Sequence, residues 1–127
     1  MIQLPESYIH LHPEVEAMLS TERQLYIGGR FVPARSGKTF NSIDPSTEQV
    51  IAQVSEGDKA DVDLAVNAAR QAFNGAWRHK LTAAERSKLI WRLADLIEER
   101  GEILAQLDSL DTGKPYQTTL TVDVPLS

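Results

Sequence analysis

Gln24-Leu25-Tyr26-Ile27-Gly28-Gly29-Arg30-Phe31-Val32 sets two short β-prone runs on either side of a glycine pair. Glycine enters the left-handed backbone region without the steric cost that other residues bear, so this stretch predicts a tight antiparallel hairpin. A phosphate-binding loop would need further glycines at set spacing and a helix directly after, and neither follows. Thr39 to Ile43 and Val50 to Val54 predict a second ribbon, joined through Asp44-Pro45-Ser46-Thr47-Glu48-Gln49. Pro45 fixes one turn dihedral, and Asp44 or Ser46 can hydrogen-bond nearby backbone groups. Two-stranded ribbons are marginal alone, so each needs a helix or another sheet against one face.

Upstream, Pro13 can open a short helix through Leu19, inside an N-terminal arm spanning residues 1–21. Downstream the pattern turns helical. Asp58 is placed to cap a helix whose apolar positions Val62, Ala65, Val66, Ala69 and Phe73 share a face, with Gly75 as its stop. Asp61 and Asp63 could suggest acid-base or metal chemistry, but carboxylates in a first helical turn are explained by its electrostatics. Thr82-Ala83-Ala84-Glu85 is a capping-box signal, followed by a stripe of Leu89, Ile90, Leu93, Leu96 and Ile97 read as a core face. Trp91 falls nearly opposite the stripe's centre. Gly101 interrupts this helix, Ile103, Leu104, Leu107 and Leu110 carry another, and Gly113 and Pro115 stop and restart the chain. Lys114 beside Gly113 is no Walker loop, because the glycine series and the terminal Ser or Thr are missing.

The chain has 127 residues, enough for one ordinary domain, with 42% hydrophobic and 24% charged residues, outside the disordered class. Its net charge of -5, with basic residues scattered among carboxylates, argues against nucleic acid as a partner. No cysteine is present, which excludes thiolate catalysis, thiolate metal sites and disulfides in this chain. With no leader-like start and no apolar run of spanning length, the expectation is a cytoplasmic protein away from membranes. His10, His12 and His79 have no motif-supported partners and are read as surface or packing residues. Ser36 to Ser42 reads as a turn entering a strand, since no Gly-x-Ser-x-Gly elbow is present.

Taken in order, Tyr26-Ile27-Gly28-Gly29, Asn41-Ser42-Ile43-Asp44-Pro45-Ser46-Thr47, Val50 to Val54, Asp61 to Val66, Phe73, Trp77, Arg86, Leu93 to Glu98 and Leu110-Asp111-Thr112-Gly113-Lys114-Pro115 resemble the NAD(P)-dependent aldehyde dehydrogenase superfamily. The resemblance covers residues 22 to 124 and is to the N-terminal part of that family. It implies an α+β fragment, antiparallel β ribbons followed by packed α-helices, divided into the arm 1–21 and an incomplete N-terminal region 22–127. The family oxidises aldehydes to carboxylic acids with NAD or NADP, through a cysteine thiolate nucleophile, oxyanion donors and a glutamate that helps water attack. The resemblance places those groups and the main dinucleotide-binding segments beyond the matched region. The isolated chain is therefore expected to be inactive, to bind the dinucleotide weakly, and to have as partner a missing C-terminal region or a complementary chain. Self-association through exposed apolar faces is the further expectation. An autonomous α+β binding or assembly module is the alternative.

One family site falls within the match. It implies a sodium or potassium ion held by the backbone carbonyls of Ser42 and Ile43 and the carboxylate of Asp111. The other reading of these residues is a capped junction between ribbon and helices. The sequence departs from the family at Glu48-Gln49, where Gly-Glu is common, and at Pro125, which would interrupt a helix.

Overall fold

The computed structural model describes residues 10–127. The element order is α1 (Pro13–Leu19), β1 (Leu25–Ile27), β2 (Arg30–Val32), β3 (Thr39–Asp44), β4 (Gln49–Ser55), α2 (Lys59–Ala72), a π-helical turn (Phe73–Trp77), α3 (Ala83–Glu99), α4 (Gly101–Thr112), α5 (Tyr116–Thr118) and a second π-helical turn (Thr119–Asp123). The part of the N-terminal arm before residue 10 lies outside the described residues.

The local signals explain these elements. Gly28 and Gly29 adopt φ of 62° and 82°, and β1 pairs antiparallel with β2 through Leu25–Val32, Tyr26–Phe31 and Ile27–Arg30. β3 and β4 form a second ribbon across a four-residue turn, a connection too short for a parallel crossover. Glu48, the departure from the usual glycine, is itself left-handed at φ 58°, so the turn keeps a glycine-like backbone while carrying a side chain. Asp58 and Asp61 form a reciprocal capping box at the start of α2. Thr82 and Glu85 form the second: the Thr82 N–H donates to Glu85 Oε2 at 2.7 Å and the Glu85 N–H to Thr82 Oγ1 at 3.3 Å. Gly75 kinks the π turn after α2 with φ -92° and ψ -137° instead of ending the helix cleanly. Pro125 follows the second π turn, so it interrupts no helix.

The chain divides into two compact units. Among the described residues, the first comprises residues 10–23, Phe40–Val54 and Leu96–Ser127. Its core is Val15 and Leu19 from α1, Ile51 and Ala52 from β4, and Ile103 and Leu110 from α4. Thr119 is fully buried there, and its hydroxyl donates to the Ala105 carbonyl at 2.8 Å. An unmet hydroxyl at that depth would cost more than its net bond gives, so this contact ties the second π turn to α4.

The second unit comprises Gln24–Thr39 and Ser55–Asp95. Its buried residues are Ala34, Ser55 and Asp61, and the Ser55 hydroxyl accepts the Ala34 N–H at 3.3 Å. Here the structure corrects the sequence reading. The α3 stripe, read as a core face, contributes no buried residue: Leu89, Ile90 and Leu93 are all about half exposed, and Trp91 is 71% exposed. On α2, Val62 and Val66 are also exposed, as is Phe73 in the π turn that follows, whereas the face carrying Asp61 and Ala68 turns toward the β1–β2 ribbon. The stripes are real, but among the described residues these side chains stay exposed.

Candidate functional site

The residues singled out as cation ligands belong to the first unit and come from two elements. β3 carries Ser42 and Ile43, and the last turn of α4 carries Asp111. The Ser42 hydroxyl donates to Asp111 Oδ1 at 2.7 Å, bridging residues 69 positions apart. Ile43, next on the strand, is 52% exposed.

The surrounding junction is held on both sides. Asp44 is buried, its Oδ1 accepts the Ser46 N–H at 2.7 Å, and its Oδ2 accepts the Thr47 hydroxyl at 3.0 Å. With the Glu48 N–H on the Asp44 carbonyl at 2.8 Å, the turn is braced by side chain and backbone together. Opposite it, Gly113 ends α4 in the left-handed region at φ 73°. A Cβ there would fall 2.8 Å from Pro45 Cγ, so the junction requires glycine twice, for its conformation and for its lack of bulk. The Ser109 hydroxyl donates to the Lys114 carbonyl at 2.6 Å, and Lys114 Nζ pairs with Asp123 at 2.7 Å. That bond, donated by the ammonium to the Asp123 carboxylate, is the main reason Lys114 is raised above its ordinary 10.5.

The donor set is entirely oxygen, which suits a hard monovalent or divalent cation and not a soft metal. Among the described residues, no group of three or more His, Cys, Asp or Glu side chains is placed to hold a metal. Any ion here would therefore depend on backbone and hydroxyl oxygens with the single Asp111 carboxylate. A cavity of about 350 Å³ lies beside the pair, lined chiefly by Met18, Leu19, Ile51, Ala52 and Leu107, with Asp108 and Asp111 in its wall.

The other candidates separate cleanly. Asp61 is part of a helix cap: its carboxyl is held below the ordinary 3.8 chiefly by the Asp58 N–H, which outweighs the opposing cost of burial, with the Arg35 N–H and charge adding smaller contributions. Asp63 pairs with Lys59 at 2.8 Å on the exposed face of α2. The sequence reading missed His12, whose ring Nδ1 accepts the Glu14 N–H at 3.2 Å as the N-cap of α1, while the His12 backbone N–H donates to Gln106 Oε1 at 2.8 Å. Its place directly before Pro13 was the available signal.

Comparison with known proteins decides the lineage. The Aldehyde dehydrogenase family profile matches residues 31–127. The chain belongs to the aldehyde dehydrogenase family. It is 48% identical over 117 residues to Aldehyde dehydrogenase family 2 member B4, mitochondrial, of Arabidopsis thaliana, a match covering 91% of this chain and 21% of that protein. It is 55% identical over 103 residues to family 2 member C4 of the same plant, covering 80% of the chain and 20% of the relative. The solved NAD+ complex of aldehyde dehydrogenase from Bacillus cereus superposes with a TM-score of 0.89 at 52% identity, covering 92% of this chain and 24% of that one. The ribbons and helices thus reproduce the N-terminal portion of the aldehyde dehydrogenase fold. The chain spans about a fifth of the length of these two curated relatives.

Proposed function

We propose that this chain is a noncatalytic N-terminal piece of an enzyme that oxidises aldehydes to carboxylic acids with NAD or NADP. The observation that carries the proposal is the absence of cysteine from a chain of this family. The thiolate chemistry implied by the family needs a sulfur nucleophile, and serine or carboxylate oxygen at another position does not replace its reactivity. Homogeneous 127-residue protein mixed with NAD or NADP and an aldehyde is expected to give no NADH or NADPH above the protein-free rate. Sustained turnover would sink the proposal.

The exposed apolar residues of α2 and α3 support a role in which the remaining region of a longer polypeptide, or a complementary chain, covers these helices. Without it, those faces favour self-association, so sedimentation at rising concentration should show a growing average mass. A constant monomer mass with cooperative unfolding would instead favour the independent binding or assembly module. The arm 1–21 and the region 22–127 are the structural divisions of this reading, and its compartment is the cytoplasm. No helix among the described residues is long and apolar enough to cross a membrane.

The same reading assigns a sodium or potassium ion to the Ser42 and Ile43 backbone carbonyls and the Asp111 carboxylate. Support comes from the Ser42–Asp111 hydrogen bond, which brings the strand and helix oxygens into one neighbourhood. Titration with either cation should shift the Asp111 carboxylate carbon signal saturably. A response no larger than that of Asp63, an exposed carboxylate on another helix, would remove this assignment.

A further inference from the structure

A cavity of about 380 Å³ in the second unit, between the β1–β2 ribbon and α2, has no part in the reading above. Its form follows from two periodicities. Cross-strand partners point to the same side of a ribbon, so Leu25, Val32, Ile27 and Arg30 share one face, while Tyr26 and Phe31 share the other with rings 5.1 Å apart. On α2, Asp61, Leu64, Ala68 and Gln71 recur at helical spacing and line the cavity together. Ala68 Cβ lies only 4.0 Å from where a Cβ on Gly28 would stand, which sets how closely the hairpin turn approaches the helix.

Arg35 reaches the same cavity through its backbone, whose N–H donates to Asp61 Oδ1 at 3.1 Å. The second Asp61 oxygen accepts the Asp58 N–H at 3.0 Å, so both oxygens of this buried carboxylate already accept amide bonds. Arg30 and Arg35 both line the space with one carboxylate, Asp61, and Asn67 and Gln71 line it as well. Neither guanidinium forms a salt bridge among the described residues. The rest of the lining is mostly hydrocarbon, from Ile27, Val32, Pro33 and Leu64. The overall charge of -5 conceals this local excess of positive charge.

Guanidinium forks match carboxylates bidentately, carboxamides add neutral donors, and an apolar floor favours a hydrocarbon body over water. We propose that this cavity binds an organic carboxylate on a short apolar body, with Arg30 and Arg35 holding the charged head and the Ile27, Val32 and Leu64 side chains holding the body. The size and chemistry of the lining favour this over a bare inorganic anion, which would leave the hydrocarbon surface unused.

The test is a titration of the isotope-labelled 127-residue chain with hexanoate, read from the arginine Nε–H and the Asn67 and Gln71 amide signals. Saturable shifts are expected, with binding weakened at least about tenfold in the Arg30→Gln, Arg35→Gln double variant by loss of charge-assisted bonds. The double substitution leaves the Arg35 backbone N–H on Asp61 intact, and the capping amides of Ala60 and Asp61 report that α2 is still formed. Leu64→Glu, which places a like charge in the floor, is a second variant expected to weaken binding by about the same factor. Neutral hexanamide should give no saturable shift, and inorganic phosphate should bind more weakly than hexanoate. No saturable response to hexanoate, an equal response to hexanamide or phosphate, or an undiminished response in the double variant would each overturn the proposal.

Discussion

The two units of this chain use similar amphipathic helices to opposite effect. In the first, α4 buries Ile103, Ala105 and Leu110, and α1 and β4 supply the apolar surface that meets it. In the second, α3 contributes no buried residue, although Leu89, Ile90 and Leu93 mark its stripe just as clearly in sequence. The second unit's three buried residues are Ala34, Ser55 and Asp61, two of them polar, and hydrogen bonds hold them where hydrocarbon would be expected. An apolar stripe is thus half of an interface. Its burial depends on whether a complementary surface lies within reach.

The largest test of this contrast compares equivalent truncations. Leu110→Ala is expected to cost about 2–5 kcal/mol, the range for emptying a packed leucine site. Leu93→Ala, at a half-exposed position, should change stability by less than about 0.5 kcal/mol. Urea unfolding followed by amide exchange in each helix separates the two, and equal losses would break the comparison.

A smaller effect is expected at the left-handed glycines. Gly113→Ala and Gly29→Ala both place a Cβ residue at positive φ, a conformational cost of about 1–2 kcal/mol. Only at Gly113 does the added carbon meet another atom at 2.8 Å, on Pro45, while Gly29 has nothing within 4 Å. Gly113→Ala should therefore be the more destabilising by thermal melting, and the reverse order would place the tighter junction in the second unit.

The smallest effects are electrostatic and differ in sign of pH. Asp61 and Glu85, in the second unit, have carboxyls held below their ordinary 3.8 and 4.5, each chiefly by a backbone N–H of its cap, from Asp58 and Thr82 respectively. Their contribution is complete above those ordinary values and is lost as pH falls through the lowered ones. Lys114, in the first unit, is raised above 10.5 by Asp123, so its contribution is complete below 10.5 and is lost as pH rises through the higher value. Acid should therefore first increase amide exchange in the opening turns of α2 and α3, and strong base should first do so near Lys114. Uniform exchange at both extremes would contradict this assignment.

The elements themselves were legible because their determinants are close in sequence. Gly28-Gly29 sets a turn by its own backbone freedom, Thr82 and Glu85 cap each other three residues apart, and Gly113 ends α4 by its own φ. The reading of α3 as a core face failed for the same reason: periodicity reports which side of a helix is apolar and says nothing of what stands opposite. His12 was missed because imidazole is an uncommon cap. Of the candidate cation ligands, Ser42 and Asp111 were named from family likeness, and the contact made by the Ser42 hydroxyl came only with the fold.

By itself, the sequence determined the ribbons, the capped starts of α2 and α3, the family likeness and the absence of a thiol, since each is a matter of residue identity or of bonds spanning a few positions. The tertiary structure decided which stripes are buried, that Asp61 is committed to Arg35 across 26 residues, and that Ser42 meets Asp111 across 69. Those outcomes depend on surfaces and charges distant along the chain, and only folding brings them within the few ångströms over which packing and hydrogen bonds act.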